Sequence, residues 1–169
     1  MSFQSFINAV PGNRFGLPCR DAVHNGEADA LMLKTLVVDD SPTIRRMVIA
    51  SLRDVCTGGF VEAASGLEAI EQLALAPVAL IILDLNMPDM HGLEVLKFVR
   101  SHQRYRSIPV LVLTTRNDGA SRGEVMDSGA SVYMTKPFVP QALAAEARAL
   151  LESGAVRADS GGGSKIDHV

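Results

Sequence analysis

The sequence holds only two cysteines, Cys19 and Cys56, with no CxxC pair and no Cys/His cluster. That excludes a disulfide framework and a thiolate zinc site, and leaves two free thiols in a reducing compartment as the simpler reading. No apolar run approaches the ~20 residues of a membrane-spanning helix. The first residues lack the basic-then-apolar order of a signal peptide, so a cytoplasmic location without a membrane partner is expected. Positive charge is not in excess either. Lys and Arg total 16 against 19 Asp and Glu, a net charge of −3, so no nucleic-acid partner is expected. What the chain does have is apolar substance. Hydrophobic residues make up 47% of its 169 positions, ample for one core, and the length suits one domain with tails.

The composition changes along the chain. Residues 1–31 carry turn signals, among them Pro11-Gly12-Asn13, Gly16-Leu17-Pro18 and Asn25-Gly26, and no lasting periodicity, so a disordered extension is expected there. Residues 154–169 include Ser160-Gly161-Gly162-Gly163-Ser164, the composition of a flexible tail. The stretch between, residues 32–153, is regular. Apolar or β-branched runs at Leu33 to Val38, Phe60 to Ala63, Val78 to Leu83, Ile108 to Leu113 and Ser131 to Met134 read as strands. The third is apolar at every position, as in a strand covered on both faces.

Helical patterns separate these strands. Ser41-Pro42 is an N-cap followed by proline at the first helical position. Ile44, Met47, Val48, Leu52 and Val55 then follow as an inward face, and Gly58-Gly59 ends the helix. Gly66 to Leu75 reads as a short helix with Leu67, Ile70, Leu73 and Ala74 inward. Leu93, Leu96 and Val99 mark a third helix. A fourth opens at Asn117 or Asp118 and contains Gly119 and Gly123, each costing about 1 kcal/mol relative to alanine. Pro140 to Leu151 is a fifth, with Leu143, Ala147 and Leu150 inward. Five β/α alternations predict an α/β fold, a doubly wound five-stranded parallel sheet with five helices. Ligands of such sheets gather at the carboxyl ends of the strands.

Four short runs fall at those ends: Asp39-Asp40, Asp84, Thr114-Thr115 and Lys136-Pro137. Each alone has a bland reading. The paired acids can end a strand and cap a helix, Lys136 can be a surface lysine, and Thr114 an ordinary strand-end threonine. Together they form a set. Three gathered carboxylates repel one another unless a hard cation such as Mg²⁺ joins them. Asp84 follows four apolar residues, a costly place for an unpaired acid. A carboxylate can carry a phosphoryl group as an acyl phosphate, provided the phosphoryl oxygens are neutralised. Lys136 offers an ammonium and Thr114 a hydroxyl for that purpose.

In this order, on this alternation, Asp39-Asp40, Asp84, Thr114 and Lys136-Pro137 resemble the receiver domain of bacterial response regulators, of the single-domain chemotaxis type, over about residues 32–153. The resemblance implies a phosphoprotein of a two-component system rather than a turnover enzyme, one that assists its own phosphorylation and dephosphorylation. It implies that Asp84 accepts a phosphoryl group from a sensor histidine kinase. Asp39 and Asp40 would hold Mg²⁺, with Asp84 and the backbone carbonyl of Asn86. Thr114 and Lys136 would contact the phosphoryl group, Thr114 and Tyr133 would form the switch, and the Lys136–Pro137 bond would be cis.

The 16 residues after position 153 leave no room for an output domain, so a monomer signalling by protein contact is expected. Its target is either a downstream protein of the chemotaxis and motility type or, in a phosphorelay, a histidine phosphotransfer protein. A haloacid-dehalogenase-type phosphatase is the rival enzyme. It carries a second acid two residues after its nucleophile, on the first strand, where this chain has Asn86 and a third-strand site. A flavodoxin-like FMN protein is disfavoured because Asp39-Asp40 would repel the phosphate.

Overall fold

The computed structural model describes residues 33–115 and 119–159. The segment 1–31, Cys19, the capping candidates Asn117 and Asp118, and the Ser/Gly run from Ser160 lie outside the described residues. The strands are β1 (Lys34–Val38), β2 (Phe60–Ala63), β3 (Val78–Asp84), β4 (Val110–Thr114) and β5 (Val132–Thr135). They form one parallel sheet in the order β2-β1-β3-β4-β5. The helices are α1 (Pro42–Leu52), α2 (Gly66–Leu75), α3 (Gly92–Ser101), α4 (Gly119–Asp127) and α5 (Pro140–Asp159). The doubly wound five-stranded fold expected from the alternation is the one observed.

The central strands alternate their side chains between two cores. Leu36, Val38, Ile81, Leu83, Val110 and Val112 face Ala69 and Leu73 of α2, Val95, Leu96 and Val99 of α3, and Val125 of α4. Val37, Leu80, Ile82, Leu111 and Leu113 face Val48 and Leu52 of α1, with Leu143 and Ala147 of α5. The period of two along each strand is thus hidden in the sequence by helices on both sides. Each fully buried Leu or Ile contributes about 1.5–3 kcal/mol, so two such layers hold the strand ends rigidly in register.

Helix boundaries and faces depart from the sequence reading in several places. The first helix ends at Leu52 rather than at Gly58-Gly59, and Val55 and Cys56 both donate backbone hydrogen bonds to the Leu52 carbonyl. Gly59 adopts φ +83° in the turn before β2, a conformation that glycine permits at no steric cost. Met47, Leu67 and Ala74, expected inward, are exposed. On α2 the inward positions are Gly66, Ala69 and Leu73, one notch round the helix, and Met90 of the loop between β3 and α3 packs over Gly66. The fifth helix continues beyond Leu151 to Asp159. Cys56 is a free, buried thiol, and burial pushes its pKa up. Among the described residues no helix is long and apolar enough to cross a membrane.

Candidate functional site

Parallel register brings the informative residues to one edge. Val38 pairs with Leu83, so Asp39 and Asp84 leave β1 and β3 side by side. Thr114 pairs with Thr135, which sets Lys136 next to the end of β4. The order in which strands are added to the sheet reverses between β1 and β3, and the crevice at that switch point is where open α/β sheets bind ligands.

Lys136 Nζ lies 2.6 Å from Asp39 Oδ2 and 2.9 Å from Asp84 Oδ2. Asp39 and Asp84 are only 3% and 4% exposed, so this ammonium is what makes two neighbouring buried carboxylates tolerable. Burial pushes the Asp39 carboxyl above the usual carboxylate range. Hydrogen bonds from Lys136 and from the Ser41 backbone N–H oppose that shift, and the Asp84 charge adds to it. The Lys136–Pro137 peptide is cis, as the resemblance implied. The Lys136 backbone N–H donates to the Thr114 carbonyl at 2.8 Å, which fastens the lysine's main chain to the strand that carries the hydroxyl.

Asp40 is exposed, yet one oxygen from each of Asp39, Asp40 and Asp84 falls within 4.8 Å of the others. Three hard oxygen donors at a solvent-facing edge fit Mg²⁺, which prefers carboxylates and retains water. The donor set contains no sulfur or imidazole that would favour a softer metal.

Asn86 does something the sequence did not reveal. Its backbone N–H donates to Asp84 Oδ1 at 3.1 Å, and its side-chain amide spans to Thr114 Oγ1 at 3.2 Å and Thr115 Oγ1 at 2.7 Å. It therefore couples the acid to both hydroxyls at the end of β4. Arg45 was also missed. From α1 it donates to the Asp39 carbonyl at 2.7 Å and to Glu62 Oε2 at 2.8 Å, which fixes the main chain of the acidic pair. Its only sequence signal was a basic residue off the apolar face, shared with every surface arginine. Tyr133 is half-buried against the α2–α4 core, with the Arg122 guanidinium 5.8 Å from its ring centroid. Thr114 is fully buried, and β4 and β5 place it on the strand next to that of Tyr133, the partner expected of it.

Known proteins share both the sequence and the fold. Residues 35–148 match the model of the response regulator receiver domain. The chemotaxis protein CheY1 of Helicobacter pylori is 41% identical over 112 residues, covering 66% of this chain and 90% of that one. The chemotaxis protein CheY homolog of Campylobacter jejuni is 37% identical over 123 residues, covering 72% and 95%. Among solved structures, the chemotaxis response regulator CheY4 of Vibrio cholerae superimposes with a TM-score of 0.64 at 38% identity, covering 70% of this chain and 98% of that one. With its acids, hydroxyls and lysine gathered at the carboxyl edge of such a sheet, this chain belongs to the response regulator receiver domain family.

Proposed function

We propose that this receiver accepts a phosphoryl group on Asp84 from a phosphohistidine of a sensor kinase, and signals through protein contact in a chemotaxis-type pathway. The observation that carries the reading is Lys136 Nζ bridging Asp39 and Asp84, with Asn86 linking Asp84 to Thr114. The pathway rests on the chemotaxis names of the relatives at 37–41% identity.

The residues divide the work. An Asp84 carboxylate oxygen attacks phosphorus, the new P–O bond forms as the P–N bond breaks, and the imidazole leaves with that electron pair and takes a proton from solvent. Lys136 starts on the attacking carboxylate and stays beside the charge as it spreads onto the phosphoryl oxygens. Thr114 offers its hydroxyl to one of those oxygens, and Asn86 follows through the amide that ties it to Thr114. Asp39, Asp40, Asp84 and the Asn86 carbonyl would hold Mg²⁺, which when bound neutralises carboxylate and phosphoryl charge. A shift of Thr114 toward the phosphoryl group opens space toward Tyr133 on the next strand, and its movement would reshape the face made by α4, β5 and α5.

The test is labelling by radioactive acetyl phosphate with Mg²⁺ present. The wild-type protein should take up label and Asp84→Asn should take up none. Full labelling of Asp84→Asn would overturn the assignment.

A further inference from the structure

We propose that the opposite, amino-terminal edge of the sheet carries a second site, which binds a small phosphate dianion, free or esterified, between Arg100, Arg106 and Ser131. A cavity of about 370 Å³ opens there, lined in part by Arg100, Arg106, Ser107, Gly129, Ser131 and Ser153. That volume lies in the ~300–1,000 Å³ range of small-ligand pockets. It is separated from Asp84 by the length of the central strands, roughly 15 Å.

The chemistry of the lining is one-sided. Arg100, near the end of α3, is half-buried and donates through Nε to the Gly129 carbonyl at 2.8 Å. Its Nη1 donates to the Ile108 carbonyl at 2.8 Å and the Arg106 carbonyl at 3.1 Å. These bonds hold the guanidinium in place but supply no negative charge. Among the described residues no carboxylate pairs with Arg100, and the Nη2 hydrogens remain for a ligand. Burial alone already pulls its pKa down, the mark of a cation without a counter-charge. Arg106, exposed and also lining the cavity, brings a second positive charge. Ser131 Oγ accepts from the Val110 N–H at 3.1 Å, which leaves its own hydrogen free to donate. From residue 95 to residue 115 the sequence holds no Asp or Glu but has Lys97, Arg100, Arg104 and Arg106. Asp127 and Glu152 are exposed and are not among the lining residues.

Two guanidiniums with hydroxyl donors match the charge and the several oxygens of a phosphate dianion better than a single carboxylate. The loop is held for the purpose, since Tyr105 is buried and stacks on His102 at 5.8 Å between ring centroids. An anion here would supply the charge that Arg100 lacks.

The test is amide NMR titration of the full chain without Mg²⁺, with inorganic phosphate and with adenosine monophosphate as probes. Saturating shifts at Ser107, Gly129 and Ser131, with a dissociation constant below about 1 mM, are expected. Arg106→Gln should weaken binding about tenfold while leaving acetyl phosphate labelling of Asp84 unchanged. Arg100→Lys, which keeps the charge and loses the fork, should weaken it as well. Tighter binding of the nucleotide would identify an organic phosphate as the ligand, and equal binding would identify the free ion. Shifts that do not saturate, shifts confined to Asp84 and Lys136, or an unchanged affinity in Arg106→Gln would overturn the proposal.

Discussion

Helices α3 and α4 each follow a strand that ends in a site residue, Asp84 for one and Thr114 for the other, yet they are attached in opposite ways. His91 caps α3 by accepting the Leu93 N–H, and α3 buries Gly92, Val95, Leu96 and Val99. Gly92 is pressed so close that an added β-carbon would overlap the Asp84 carbonyl oxygen and lie 2.8 Å from Leu85 Cα. From Arg122 to Asp127, α4 buries Val125 alone, and a β-carbon on Gly123 would meet nothing within 4 Å. Gly123 therefore serves no close packing, and what remains is its cost to the helix. One helix is pressed against the main chain of Asp84; the other buries little over these described residues and packs beside Tyr133. A segment with few buried contacts opens at low free-energy cost, which is what a switching element needs.

The largest expected effect strikes the anchored helix. Gly92→Ala should destabilise the fold by about 3 kcal/mol or more, because backbone must move to admit the methyl group, as urea unfolding would show. A loss under about 0.5 kcal/mol would mean that α3 is no better fixed than α4. Lys136→Ala comes next. It leaves Asp39 and Asp84 facing each other without a cation and should cost the metal-free protein about 2–3 kcal/mol. Adding Mg²⁺ should recover part of that loss in thermal melts, and no recovery would argue against a cation site at these acids. The smallest effect belongs to α4. Gly123→Ala should stabilise the protein by about 0.5–1 kcal/mol and slow hydrogen exchange at Val125 toward that of Val99. Exchange in α4 that already equals α3 in the wild type would show the two helices to be equally fixed.

How much of this was legible depended on which physical rule governed each residue. β2 and α2 fall where their patterns placed them, because turn residues and caps bound them on both sides. The four strand-end runs were legible because polar groups after long apolar stretches have few structural excuses. Helix faces were less so. Met47 and Leu67 are apolar enough to read as core, but the inward stripe of each helix is narrower than its apolar arc and leaves both exposed. Bonds between distant side chains were invisible. Nothing local to Asn86 says that its amide reaches Thr114 and Thr115, and nothing local to Arg45 says that it grips Asp39. Arg100 likewise reads as one more basic residue until three carbonyls converge on it.

The proposed acceptor is a single carboxylate, Asp84, and chemistry can mark it. An aspartyl phosphate is an acyl phosphate, which borohydride reduces to homoserine, so peptide mapping after phosphorylation and reduction reports the acceptor directly. Homoserine at position 84, with Asp39 and Asp40 unaltered, is the predicted result. Homoserine at position 39 or 40, or none in protein that has demonstrably taken up phosphoryl label, would contradict it.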